Sequence, residues 1–301
     1  MLKIWPTQKA IDFHQKEVSK VFEETIKKGY ILRNRKQKNL PKVFILFLNQ
    51  FKNELISGKP KRLFEIQLEF EKKRFSVHQL KLIKSFFIQT GYNNFDNKDF
   101  LEKLNVDTCV YCNRNYTTQL VKDRARAELD HWFPKESFPI LALSFYNLIP
   151  SCHSCNHIKH NNHPDEGWAK ALSNITHPYL DNKDETFLFS YFYSSLTQPK
   201  VTLKTENDKV EKTIIFSKID KIYESHSNRE LKDLLDLRYK YSKNYLDILL
   251  NNTFKEMTLS QEEVYRMIFG IEINEQDYHK RPFSKFKKDI IEELLSIKLN
   301  N

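Results

Sequence analysis

The sequence predicts a mainly helical protein with one small α+β insert near its middle. Three observations carry that expectation. Only 5 Gly and 10 Pro occur among 301 residues, which disfavours folds built on many tight turns or glycine-rich loops, such as propellers, sandwiches and dinucleotide-binding sheets. Apolar residues recur at helical spacing through most of the chain. The stretch 105–165 departs from that pattern: it is rich in Cys, His and Asn, and five of the ten histidines fall between positions 131 and 163. With 40% apolar, 29% charged and 13% aromatic side chains, the chain has the balance of a folded protein with a sizeable core. Three regions follow: a basic helical region 1–104, a central module 105–165 and a mostly helical region 166–301 containing a β-hairpin.

In chain order, Thr7 can cap a helix in which Ile11, Val18, Val21, Phe22 and Ile26 share a face and which Gly29 ends. The cluster Arg33, Arg35, Lys36 and Lys38 follows, which is either a grip for phosphates or a solvated face. Phe44, Leu48, Phe51 and Leu55 mark a second helix before Gly58 and Pro60, and Val77, Leu80, Ile83 and Phe87 mark another before Gly91. Between them Phe64, Ile66, Leu68 and Phe70 alternate as in a strand, while the surrounding Glu and Lys favour helix. Phe187 to Tyr193 and Lys200 to Phe216 have the alternation and polar centre of a small hairpin. Leu231, Leu234, Leu235, Tyr239, Tyr245 and Leu249 mark a long helix. Ser260 to Glu263 has capping-box form, and Phe283 to Leu295 reads as the closing helix.

The net charge is +10, and it is unevenly spread. Residues 1–100 hold 21 Lys and Arg against 10 Asp and Glu, whereas the rest hold 28 against 29. Such a basic field attracts polyanions, nucleic acid being the commonest. The densest apolar run, Val43 to Leu48, is six residues long, far below the ~20 needed to cross a bilayer, so no membrane partner is expected. The first residues lack the apolar core of a secretory signal, which makes the cytoplasm the default location.

All four cysteines fall into two Cys-x-x-Cys pairs, Cys109 with Cys112 and Cys152 with Cys155. In a reducing compartment that pattern reads as zinc ligation before disulfide. Four thiolates close the coordination shell, so the expected role of the zinc is structural: it pins two chain segments and holds what lies between. A two-Cys two-His finger does not fit, because His131 lies 19 positions after Cys112 and the second pair would be unused. Between the knuckles stand Asp130 and His131, followed by Trp132 and Phe133, which are expected to pack against the module's helix rather than stack on bases. Leu129 and His131 would share one face of a short strand, with Asp130 on the other. Asn147 leads into the second knuckle and Asn156 directly follows its last cysteine, ahead of His157, Lys159 and His160.

Over roughly residues 109–163 this arrangement resembles the HNH, or ββα-metal, endonuclease family, in the variety braced by a four-cysteine zinc. The resemblance implies that His131 is the general base and that Asp130 and Asn156 are ligands of a catalytic divalent cation. Asn147 matches the family's central Asn, which braces the loop and orients the base. His160, four residues after Asn156, matches a place where some members use a third metal ligand and others water. Lys159 matches a basic residue near the scissile phosphate, and Arg114 lies close to the first knuckle as a second nucleic-acid contact. An Asp-plus-Asn shell suits Mg²⁺ or Mn²⁺ better than zinc, and His160 would shift it toward transition metals. His153, His157 and His163 are expected to be surface or phosphate-facing residues rather than ligands.

The implied activity is metal-dependent hydrolysis of phosphodiesters, in DNA before RNA. The alternatives are a non-catalytic zinc-braced binding module and an RNA-cleaving toxin. The layout is similar to bacterial defence and restriction nucleases, including those that work beside an ATPase in Septu-type systems, which makes an ATPase the implied protein partner. One HNH centre cuts one strand at a time, so double-strand cutting needs sequential nicking or a homodimer, for which the C-terminal helices are the expected surface.

Overall fold

The computed structural model describes residues 1–32, 36–92, 94–118, 128–160, 162–240, 248 and 259–295. The protein is mainly helical, and its described sheets have two strands each. The chain divides into two compact units, one of Trp5–Asn105 with Gln119–Pro150, the other of Met1–Ile4, Val106–Thr118 and Ser151–Asn301. Arg33, Arg35, Tyr245 and Leu249 lie outside the described residues.

The first unit opens with α1, Gln8–Lys28, capped by the Thr7 hydroxyl, which accepts from the Ala10 N–H. Its buried face runs Ala10, His14, Val18, Phe22 and Thr25, so the buried stripe is rotated from the one that Ile11 and Ile26 suggest. Gly29 ends the helix at φ 72°, in the left-handed region that glycine enters without strain. After the short pair β1 (Tyr30–Ile31) and β2 (Gln37–Lys38) come α2 (Lys42–Ser57) and α3 (Pro60–Lys72). α3 resolves the ambiguous stretch as helix: Leu63, Ile66, Gln67 and Phe70 are buried at helical spacing, whereas Leu68 is 41% exposed.

The capping box at Ser76 and Gln79 starts α4, Val77–Lys84. Of its expected apolar face, Ile83 is buried and Val77 is 85% exposed. The segment then widens into a π-helical turn, Ser85–Tyr92, which buries Phe86 and Phe87. Phe22, Phe44, Phe86 and Phe87 meet ring to ring at centroid separations of 5.0–6.0 Å, forming an aromatic core beneath the helices. α5 (Asn97–Leu104), capped by Asp96, is followed later in this unit by β3 (Glu128–His131), 3₁₀ turns at Pro139–Leu141 and Phe145–Asn147, and β4 (Leu148–Ser151), which pairs with β3.

In the second unit α6, His153–His160, follows β4 in the chain, which gives the β–β–α order the resemblance implies. The short α7 (Ala171–Asn174) precedes an antiparallel hairpin of β5 (Leu188–Ser195) and β6 (Gln198–Lys204). The expected hairpin is present, but its second arm is shorter than the span to Phe216. α8 occupies Asp208–Ser217, because Asn207 caps it by accepting from the Val210 N–H and Val210, Thr213, Ile214 and Ser217 line one buried face. α9 (Ile219–Glu224), a π-helical turn at Ser227–Leu231 and α10 (Lys232–Lys240) follow. The capping box at Ser260 and Glu263 starts α11, Gln261–Phe269, and α12, Ser284–Leu295, comes last. α12 is anchored to the hairpin: the buried Asp289 carboxylate accepts from the Phe189 N–H at 2.9 Å and from the Lys285 ammonium at 2.9 Å.

Candidate active site and metal centre

The first knuckle is a tight loop. Thr108 and Tyr116 form a β-bridge across it, the Cys109 N–H donates to the Asn115 carbonyl, and the Asn113 N–H donates to the Cys109 carbonyl. Asn113 closes the loop at φ 49°, a left-handed conformation that Asn tolerates better than most residues. Its side-chain amide reaches Thr108 Oγ1 at 2.9 Å and the carbonyls of Tyr278 at 2.9 Å and Arg281 at 3.1 Å. Tyr223 donates its hydroxyl to the Cys112 carbonyl at 2.6 Å. The second knuckle uses the start of α6: Cys152 precedes the helix, Cys155 lies in its first turn, and the Asn156 N–H donates to the Cys152 carbonyl.

These loops bring all four sulfurs within 4.8 Å of one another. Cys112 and Cys152 stand 3.9 Å apart, and no disulfide joins any of the four. Tetrahedral zinc with bonds of ~2.3 Å sets its sulfurs about 3.8 Å apart, so the cluster fits that ion. Hydrogen bonds from Cys109, Cys112 and Cys155 hold the Cys152 thiol well below its ordinary range, whereas burial pushes Cys109 up. The four cysteines form a soft, preassembled donor set able to bind zinc.

α6 also carries the other residues expected in this half. Asn156 is half-buried, His153, His157 and His160 are exposed, and His163 beyond the helix is exposed as well. Lys159 is buried, its ammonium 5.2 Å from the ring centre of Trp168. Arg114 donates to Nε2 of His226 at 2.9 Å. Burial, reinforced by the Arg114 charge, pushes the His226 pKa down, so the ring stays neutral and accepts that bond.

Asp130, His131 and Asn147 lie in the first unit. Asp130 and His131 end β3 and are 7% and 5% exposed. His131 Nε2 lies 3.1 Å from the Ala142 carbonyl. A carbonyl only accepts, so Nε2 carries the proton there and the lone pair of the neutral ring sits on Nδ1. The ring packs edge to face on Tyr92, centroids 4.5 Å apart, and the Tyr92 hydroxyl donates to the Leu129 carbonyl of the same strand. Asn147 is fully buried and ties the segment between the strands: Oδ1 accepts from the Phe133 N–H at 2.7 Å, and Nδ2 donates to the carbonyls of Phe133 at 3.1 Å and Leu141 at 2.9 Å. Trp132 and Phe133 are buried, and the stacking partner of Phe133 is Phe64 of α3, outside the module.

Residues 109–162 match the family model for the HNH endonuclease. That span starts at the first cysteine and ends two residues beyond α6. Over 74 residues the chain is 31% identical to the Septu protein PtuB of Bacillus thuringiensis, an alignment covering 23% of this chain and 27% of that protein. The chain therefore spans about a quarter of the length of this curated relative. No solved structure matches it. Sequence reasoning missed two contacts of the HNH segment: the Tyr92 ring packed on His131, and the Lys135 ammonium, which lies 4.4 Å from the centre of Tyr92. Lys135 closely follows the Asp-His pair, so a basic residue at that spacing was the available signal, whereas Tyr92 is distant in sequence and leaves none.

Proposed function

We propose that this protein is a metal-dependent endonuclease of DNA acting in bacterial defence, with His131 as its general base. One observation carries the reading: within a segment that matches the HNH endonuclease, the His131 ring is fixed by the Ala142 carbonyl in the tautomer that leaves Nδ1 basic. Nδ1 accepts the proton of the attacking water near neutral pH, and the oxygen it activates attacks phosphorus. Asn147 keeps the Ala142 carbonyl and His131 in register by tying Leu141 to Phe133. Asp130 supplies a hard carboxylate oxygen for Mg²⁺ or Mn²⁺, and on the resemblance Asn156 and His160 are ligands of the same ion. When bound, that ion supplies Lewis-acid charge at the departing 3′ oxygen. Lys159 and Arg114 are proposed contacts for nucleic acid, zinc the ion of the four cysteines, and the cytoplasm the location.

The partial match to a Septu protein supports the defence setting, and an ATPase partner is proposed on the resemblance of the layout alone. The test is cleavage of supercoiled plasmid, with single-stranded RNA in parallel, by wild type and His131→Ala in Mg²⁺, in Mn²⁺ and in EDTA. Metal-dependent nicking of DNA by wild type is expected, reduced roughly 10²–10⁴-fold in the variant, with zinc content unchanged. Full activity in His131→Ala removes His131 from the mechanism, and preference for RNA moves the substrate assignment.

A further inference from the structure

Lys135 is a cation in an unusual position. It is half-buried, and its ammonium rests on the face of Tyr92, whose ring also packs against His131. The ammonium and the imidazole therefore lie no farther apart than those two contact distances combined. Glu136, the adjacent carboxylate, is taken by Lys84 at 2.8 Å. Among the described residues the Lys135 ammonium has no hydrogen-bond or ion-pair partner. Burial lowers its pKa, against the smaller opposing pull of Glu136 and Asp130.

A partly dehydrated ammonium with only a ring beneath it gains most from an anion that brings its own charge to the site. The general base, the metal-binding carboxylate and this cation all belong to one unit. We propose that Lys135, seated on Tyr92, binds a non-bridging oxygen of the scissile phosphodiester. The inference rests on the nuclease reading and adds to it the residue that holds the reacting phosphate. Packing on Tyr92 limits the rotamers of a long side chain, so little freedom is lost when the phosphate arrives. As water attacks, negative charge grows on the non-bridging oxygens, and an ammonium already in place stabilises it without reorganisation.

The experiment measures binding of a fluorescein-labelled DNA duplex by anisotropy across a salt series, using the His131→Ala protein in Mg²⁺ so that cutting does not compete. Lys135→Met keeps the alkyl stem on Tyr92 and removes the charge, while Lys135→Arg restores it. Loss of one charge-assisted phosphate contact should weaken binding roughly 10-fold or more. The slope of log K against log salt should fall by about one, and Lys135→Arg should recover it. Lys72→Ala, which alters an exposed lysine paired with Glu69, should leave both quantities unchanged. Thermal melting of Lys135→Met checks the fold, and a purely structural role for Lys135 would not move the salt slope. If the parent binds and wild type cuts, yet Lys135→Met has the parent's affinity and slope, the phosphate contact is wrong and the nuclease reading stands. If wild type neither binds nor cuts DNA or RNA, both readings fall.

Discussion

The side chain of Asn147 clasps both backbone groups of Phe133, accepting from its N–H at 2.7 Å and donating to its carbonyl at 3.1 Å. A third bond, to the Leu141 carbonyl, ties in the 3₁₀ turn that precedes Ala142. Asn147→Asp keeps the acceptor but sets a carboxylate against two buried carbonyls. It should cost about 3 kcal/mol or more in urea unfolding, since each orphaned buried group costs about 1–3 kcal/mol. Zinc content should not change, because the cysteines belong to the other unit. A loss below about 1 kcal/mol would mean that the loop is held by packing instead.

His14 makes stability depend on pH. Its Nε2 meets the Leu143 carbonyl at 2.8 Å, Nδ1 has no partner among the described residues, and the rings of Phe95, Phe100 and Phe145 enclose it at 5.3–5.4 Å. Burial lowers its pKa to about 4. The unfolded chain takes up this proton near pH 6.5 and the folded chain only near pH 4, so the unfolded state binds more protons between those values. Stability is therefore undiminished above pH 6.5 and falls as the pH drops toward 4, by on the order of 3 kcal/mol in total. His14→Gln keeps a donor for Leu143 without the titration. Urea midpoints of the two proteins at pH 7 and pH 5 should show a smaller pH effect in the variant, and equal pH effects would exclude His14 as the cause.

The elements that could be read in advance are those with local causes. Thr7, Gly29 and the box at Ser260 and Glu263 stop and start helices through bonds to residues three or four positions away, and such bonds leave a spacing in the sequence. The four cysteines were legible for the same reason: each pair reports a short loop around one ion. The stretch ending at Phe216 misleads because Asn207 and Asp208 resemble a turn between strands, whereas Asn207 caps a helix whose Val210 and Ile214 face inward. The motif also names Asp130, His131 and Asn147 without saying what they touch. Tyr92 and Ala142 meet His131 across the turns of the chain, Lys135 meets the far partner of that contact, Tyr92, and no local period encodes such contacts.

Removing zinc should loosen the unit that holds the cysteines. Purified protein is expected to carry one zinc per chain by atomic absorption. Structural zinc supplies on the order of 10 kcal/mol in small modules. Cys109→Ser, altering a fully buried ligand, should lose the metal and lower Tm by roughly ten degrees or more. A variant that retains stoichiometric zinc at the wild-type Tm would show that three sulfurs suffice.

Asn113 binds the first knuckle to the segment preceding α12, and two substitutions separate its contributions. Its amide serves Thr108, Tyr278 and Arg281, and its own carbonyl accepts from the Phe283 N–H at 2.6 Å. The backbone is left-handed, φ 49°. Asn113→Ala loses the amide and also puts a Cβ where the left-handed conformation disfavours it, so it should destabilise by about 3–5 kcal/mol. Asn113→Gly loses the same bonds and removes the conformational strain, so it should be the more stable of the two by about 1 kcal/mol. Both should release zinc to a competing chelator faster than wild type, because the loop carrying Cys109 and Cys112 loses its tie to residues 278–281. If both variants unfold like wild type, or Gly is the less stable, the knuckle is held by its metal alone.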